Sequence, residues 1–273
     1  MNNTPQILYK YVSCDIAKII LETNAIRATP PIDFNDPFEV LPQSMEVTEA
    51  LGRELINRFE SKAFYDVAVK NKDITYQQYL LFLKTYPDKA IQILKDTFMS
   101  DDKFVMKVLK GNVEKYSELF GLLCLSAKRD NILMWSHYAD NHRGVVIGFD
   151  SKKLFRHGYF KVRYSEERCF YNVKDERDIN GLMELFATKA RMWEYEDEYR
   201  ALINFHDCIK SSAGIYLYGF NREAIKELIF GIRILESEKV DILRLISDCR
   251  NVSVMQANLH DKMFKIEFDD HAL

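Results

Sequence analysis

Apolar residues recur along this chain at two different spacings, and the spacing changes several times from one end to the other. Residues 7–12, Ile-Leu-Tyr-Lys-Tyr-Val, predict a first strand. Ser13 follows as a candidate N-cap for a short helix carrying Ile16, Ile19 and Ile20 on one face, ended by Asn24. Ile26-Arg27-Ala28-Thr29 and the prolines Pro30, Pro31 and Pro37 then predict a turning or extended stretch, because proline restricts the residue before it.

From 46 to 120 glycine becomes sparse and apolar residues fall at helical spacing: Leu51, Leu55, Phe59 and Phe64, then Tyr76, Tyr79, Leu80, Phe82 and Leu83, then Ile91, Ile93, Leu94 and Phe98. This predicts three to five helices, an insertion or subdomain at 46–120 within one α+β domain spanning 1–273. The insertion reads as a cap on the core, or as a lid or partner-binding element.

Strand signals return at Leu122-Leu123-Cys124-Leu125-Ser126 and at Gly144-Val145-Val146-Ile147-Gly148-Phe149, with a short helix or turn beginning at Asn131 between them. Further strands are expected at 160–164 and 197–205, a helix at 179–193, a strand or helix end at 225–232, a helix at 238–248 and closing strands at 252–255 and 264–268. No internal repeat or low-complexity segment is visible, and no glycine-rich strand-to-helix turn of a dinucleotide-binding or phosphate-binding unit. Irregular interleaving of strands and helices favours an α+β mixed sheet over a doubly wound one.

Composition narrows this picture. Of 273 residues, 47% are hydrophobic and only 10 are Gly and 6 Pro, which excludes a disordered chain and disfavours a turn-rich all-β fold. A net charge of -3 gives no global field toward nucleic acid or anionic lipid. No apolar run reaches the ~20 residues that span a bilayer, and the first residues lack a secretory layout, so a cytoplasmic location is expected. The 5 cysteines, Cys14, Cys124, Cys169, Cys208 and Cys249, are odd in number and widely spaced, as free thiols in a reducing compartment would be. His137 and His142 are five apart, not at the spacing of a helical metal pair, so no metal is expected.

The richest chemistry lies in Lys189-Ala-Arg-Met-Trp193-Glu-Tyr-Glu196-Asp197-Glu198-Tyr199-Arg200. In a strand, Glu196, Glu198 and Arg200 would share one face with Leu202, and Asp197, Tyr199, Ala201, Ile203 and Phe205 the other. Such a charged row can hold a sugar hydroxyl and stabilise a developing positive charge; it can equally be a solvated face with Glu–Arg pairing. Lys189 falls inside the apolar stripe of the helix expected before it, with Leu182, Leu185, Phe186 and Trp193, and either points into a cleft or snorkels. A second cluster, Met134-Trp135-Ser136-His137-Tyr138-Ala139 with His142 and Gly144, could stack a flat ring or could be a buried helix with core Trp135 and Tyr138. Asn35 and Glu39 flank Asp36-Pro37, which on its own reads as a helix start. A Ser–His–Asp triad from Ser126 or Ser136 with His137 lacks a nucleophile elbow.

Leu8-Tyr9-Lys10-Tyr11, Phe34-Asn35-Asp36-Pro37-Phe38-Glu39, the Met134–Ala139 run with Gly144, and Lys189, Trp193, Glu196, Glu198 and Arg200 resemble, in order, the signatures of the bacterial family catalogued as domain of unknown function 2971. At a second level, the opening strand, short helix and Ile-Arg-Ala segment resemble the ADP-ribosyltransferase fold of DNA-modifying toxins and RNA 2'-phosphotransferases. That resemblance implies a basic residue on the first strand (here Lys10, where His or Arg is usual), an aromatic or hydroxyl residue in the middle (Tyr138 or Ser126), and a later glutamate (Glu198). Glu196-x-Glu198 also resembles the Glu-x-Glu pair of arginine-directed transferases.

The implied activity is cleavage of the nicotinamide–ribose bond of NAD, with a carboxylate stabilising an oxocarbenium-like centre. Glu198, Glu196 and Tyr138 would then be catalytic, and Tyr9, Lys10, Arg27, Asn35, Ser126, Trp135, His137, Lys189 and Arg200 would hold NAD, with no metal. A toxin or phage-defence effector acting on RNA or DNA, with an antitoxin or other partner on the helical insertion and no membrane, would fit. The alternatives are a non-catalytic module that binds a nucleotide or protein, and a metal-requiring hydrolase or nuclease using Glu196 and Glu198.

Overall fold

The computed structural model describes residues 5–42, 60–62, 65, 66, 69, 73–93, 96, 110, 111, 113–169, 179–249 and 251–270. The chain divides into two compact units, Met1–Asn35 with Tyr116–Tyr164 and Lys189–Leu273, and Asp36–Lys115 with Ser165–Thr188. The second unit takes in most of the 46–120 segment and adds 165–188.

In chain order the elements are β1 (Ile7–Val12), α1 (Cys14–Thr23), β2 (Ala25–Arg27), α2 (Tyr76–Thr85), α3 (Pro87–Ile93), β3 (Phe120–Ser126), α4 (Ile132–Tyr138), β4 (Val145–Asp150) and α5 (Ser151–Leu154). Then come β5 (Phe160–Lys161), β6 (Arg163–Ser165), α6 (Ile179–Phe186), β7 (Thr188–Ala190), β8 (Glu198–Asn204), β9 (Cys208–Lys210) and β10 (Tyr216–Gly219). The last are β11 (Ile225–Phe230), α7 (Glu236–Leu245), β12 (Ser253–Leu259) and β13 (Ile266–Asp270). The protein is α+β.

The first unit is built on an 8-stranded sheet in the order β13-β12-β11-β4-β1-β3-β8-β5. Every neighbouring pair is antiparallel except β11 with β12. A smaller sheet runs β2-β10-β9. Strand β1 sits centrally because its residues are apolar on both faces, as a strand covered on both sides must be. Leu8 and Val12 enter one cluster with Leu123, Leu125, Ile147, Phe149, Tyr199, Ala201 and Ile203. Tyr9 and Tyr11 enter a second, on the other face, with Met134, Trp135, Val146, Ile229, Met255 and Ile266.

Helix α1 closes over the first cluster. The Ser13 side chain accepts from the Ile16 amide, and Asn24 ends the helix with a left-handed φ of 50°. The buried residues are Ala17, Ile20 and Leu21, each about 2 kcal/mol of burial for the two larger side chains. Ile16 and Ile19 remain 45% and 44% exposed, so the expected Ile16–Ile19–Ile20 face is corrected by about one position. Ala17 joins Ile20 and Leu21 on the face that enters the core cluster, and Ile16 and Ile19 lie off that face.

In the second unit, α2 begins with a reciprocal capping box between Thr75 and Gln78, and α3 begins at Pro87. Tyr79, Leu83, Ala90 and Ile91 are buried, and the Tyr65 ring lies 5.5 Å from those of Tyr76 and Tyr79. Leu51, Leu55, Phe59, Phe64, Leu94, Phe98 and the side chain of Leu182 lie outside the described residues. The helix expected over 179–193 ends at Phe186; Thr188 turns back to donate to the Glu184 carbonyl (2.8 Å), and β7 follows. The strand expected at 160–164 divides into β5 and β6, and β9 and β10 had no counterpart in the pattern. Among the described residues no helix is long and apolar enough to cross a membrane.

Candidate functional site

Strand register gathers the polar residues of β8 on one face. Ser126 of β3 pairs with Glu198, Cys124 with Arg200, and Tyr9 of β1 with Ser126. Paired residues point the same way, so Tyr9, Ser126 and Glu198 form a transverse row across three neighbouring strands, about 10 Å from end to end at the ordinary strand spacing.

Around this row runs a continuous side-chain network. Lys189 Nζ donates to Glu196 Oε2 at 2.6 Å and to Glu198 Oε2 at 3.1 Å. Arg200 meets Glu198 in a fork, Nε to Oε1 and the terminal nitrogen to Oε2, both 2.9 Å. The Tyr138 hydroxyl donates to Glu196 Oε1 at 2.7 Å, and Asn35 in turn donates to the Tyr138 oxygen. Exposure is 6% for Lys189, 3% for Glu196, 5% for Glu198 and 0% for Arg200. Two rings cover the cations: Trp193, 5.1 Å from Lys189 Nζ, and Phe34, 5.4 Å from the Arg200 guanidinium.

Burial pushes the Glu198 carboxyl up, but Arg200 first and Lys189 second outweigh it and hold it down, to about 2. Glu198 is therefore a carboxylate throughout the neutral range. Burial and the Glu196 charge push the Tyr138 phenol far up, so it stays a donor. Burial, reinforced by Glu198, likewise keeps Cys124 a thiol, which donates to that carboxylate.

Glu196 reaches the network by a route other than strand alternation. It ends a 3-10 turn, Arg191–Glu196, and Asp197 follows with φ 43° before β8 starts. Lys189 lies on β7 rather than in a helical stripe. Both expectations fail for the same reason: the bonds among Lys189, Glu196 and Glu198 are tertiary, and they override the local period.

Other expected site residues lie elsewhere. Lys10 alternates with Leu8 and Val12 and is on the sheet face opposite Glu198; its Nζ donates to the Cys124 carbonyl at 2.9 Å. Tyr9 shares the face of Glu198, but its phenol is bonded to Glu227 and Arg129, and burial lifts its pKa to about 12. Its ring passes over Gly148, where a Cβ would lie 3.0 Å from it. Arg27 pairs with Asp33 at the surface and takes no part in the network. Trp135 is wholly buried, its Nε1 donating to the Arg129 carbonyl (2.9 Å) and its ring packed edge-on against Tyr11 at 5.5 Å. It is a core residue with no ring face for a ligand. His137 is exposed, beside Tyr138 and Tyr195. Ser126 is buried and donates to the Glu196 carbonyl at 2.5 Å, so it fixes backbone. Asp36 accepts from the Phe38 amide at 2.9 Å and caps a turn, not a helix.

The stretch after α4 explains Gly144. Asp140, Asn141 and His142 take successive left-handed angles of 46°, 52° and 69°, the conformation these three residue types tolerate best after glycine. The turn carries Gly144 so close to β1 that a Cβ would lie 2.1 Å from the Val12 carbonyl oxygen. Within it, His142 stacks on Trp135 with ring centroids 6.3 Å apart and its Nε2 lies 3.2 Å from the Ser136 hydroxyl. Burial and then Arg233 hold His142 below its ordinary pKa.

Residues missed by the sequence reading are Asp197, Tyr164 and Cys124. Tyr164 accepts the Glu198 amide at 2.8 Å. Only Asp197 carried a signal, as a residue type that tolerates the left-handed region.

Residues 134–201, from α4 into β8, match the family described as "Protein of unknown function (DUF2971)". That stretch of the chain is similar to the family, and it holds Tyr138, Lys189, Glu196, Glu198 and Arg200. No curated protein and no solved structure matches the chain.

Proposed function

We propose that the protein is an ADP-ribosyltransferase-like enzyme that uses NAD and acts through Glu198, on a core of that fold type. The observation that carries the reading is the convergence of two carboxylates on one ammonium, with Glu198 held ionised by Arg200 and Lys189. Cleaving the nicotinamide–ribose bond develops positive charge at the ribose, and a buried carboxylate that stays charged at neutral pH is suited to stabilise it. Glu196, bonded to the Tyr138 phenol, is suited to orient the acceptor and take its proton. In this reading Tyr9, which shares a row with Ser126 and Glu198, suits the first-strand role better than Lys10 on the opposite face. A nucleic-acid acceptor, and service as a toxin or defence effector, belong to the same proposal.

A second reading is favoured by burial: each ion of the network is at most 6% exposed and bonded on several sides, as in a scaffold that fixes a binding surface. Incubation with radiolabelled NAD and RNA, DNA or protein, beside a Glu198→Gln variant, separates the two. Label transfer lost in the variant supports the enzyme. NAD binding without release of nicotinamide, unchanged in the variant, favours the binding module.

A further inference from the structure

The Glu196–Asp197–Glu198 corner is held by groups that make no contact with the two carboxylates through their own charge. Ser126 Oγ donates to the Glu196 carbonyl at 2.5 Å, Asn131 Nδ2 to the Tyr195 carbonyl at 2.9 Å, and the Ala127 amide to the Asp197 carbonyl at 3.0 Å. Tyr164 accepts the Glu198 amide. At the centre is Asp197, whose φ of 43° is the sole left-handed angle among the described residues between Gly158 and Gly214.

That angle has a geometric effect. In an extended strand, side chains two apart run parallel and about 7 Å from each other. Here the carboxylates of Glu196 and Glu198 instead meet at one nitrogen, 2.6 and 3.1 Å from Lys189 Nζ. The Asp197 side chain itself points to Lys161 Nζ at 2.8 Å, an ion pair with a half-exposed lysine, which is worth little. The backbone of Asp197, not its charge, is therefore what the network needs.

We propose that Asp197 is a positioning residue, whose left-handed backbone folds Glu196 back beside Glu198 so that both carboxylates take the same cation. The site is then built for a single ammonium-sized cation between two acids, and Lys189 occupies that place. The proposal rests on the reading of Glu198 as functional only for its effect on activity, not for its geometry.

The test uses the full chain with labelled lysine and glutamate in nuclear magnetic resonance. The buried Lys189 ammonium gives a slowly exchanging signal, and Glu198 stays ionised far into acid. Asp197→Gly, Asp197→Asn and Lys161→Met are expected to keep both signatures, since glycine and asparagine accept the left-handed angle and Lys161 only meets the side chain. Asp197→Ala is expected to lose the ammonium signal and to raise the Glu198 titration part of the way, the Arg200 fork still holding it below an ordinary glutamate. If Asp197→Ala fails to fold, Asp197→Ser makes the same comparison. Alanine behaving like glycine, or Lys161→Met losing the signatures, overturns the proposal. In NAD turnover, the alanine variant is expected to fall about 100-fold in kcat, the scale of a small misplacement, and the glycine variant to keep it. Absence of turnover in the wild type refutes the enzyme reading alone, and the ammonium signal still decides the role of Asp197.

Discussion

Lys189→Met removes the shared cation of the network while keeping most of the stem volume. Glu198 retains the Arg200 fork and Glu196 retains the Tyr138 hydroxyl, so neither carboxylate is left bare. The fall of the Glu198 pKa from 4.5 to about 2 corresponds to roughly 3 kcal/mol of native stability. Arg200 is the larger source and Lys189 the smaller. Glu196, 3% exposed, loses its ammonium altogether, and breaking a buried pair costs about 3–5 kcal/mol. The low end, about 3 kcal/mol, is expected because the hydroxyl bond survives.

Urea unfolding at pH 7 measures it. A Lys189→Met, Glu196→Gln double variant is expected to recover part of the loss, since a neutral amide needs no counter-ion. Lys189→Met within about 0.5 kcal/mol of wild type, the range of surface substitutions, would refute the argument, as would a double variant whose losses simply add. The acid limb carries a sign as well. Native Glu198 titrates below the unfolded chain, so its stabilisation is complete above about pH 4.5 and is lost as pH falls through about 2.

The lowered pKa of His142 gives the same sign in a milder window: wild type is expected to lose thermal stability as pH drops below about 6.5, and a His142→Gln variant to lose less. Gly144→Ala drives a methyl into the Val12 carbonyl and is expected to cost at least about 2 kcal/mol in chemical unfolding. Asn131→Ala removes the α4 cap, which accepts from the Leu133 and Met134 amides, and frees the Tyr195 carbonyl. A loss of about 2 kcal/mol is expected, larger than for Ser13→Ala, whose cap bond is a long 3.4 Å.

How far the sequence reveals this molecule differs between its parts. The apolar runs at Ile7–Val12, Leu122–Ser126 and Val145–Phe149 announce the central strands, because a strand buried on both faces admits little else. The charged motif at 189–200 holds side chains that meet in one network, but not through the spacing expected of them. A period of two puts Glu196 and Glu198 on one face, but the chain turns left-handed at Asp197 and the pair converges by that corner. No periodicity reveals a backbone angle. Lys189 fits a helical stripe, yet its partners lie on β8 and beyond, and the helix stops at Phe186. Trp135 and Arg27 look like ligand contacts by residue type; one found a core of Tyr11 and His142, the other the carboxylate of Asp33. Which polar group meets which depends on strand order, and the order β4-β1-β3-β8 is set by the whole sheet rather than by any window of residues.

The most direct measurement is nicotinamide release from NAD, without added metal, by wild type and by a Glu198→Gln variant whose folding is verified by its unfolding curve. The account predicts release by the wild type and a loss of several orders of magnitude in the folded variant. Equal release by both, or none by either, would contradict the role given to Glu198.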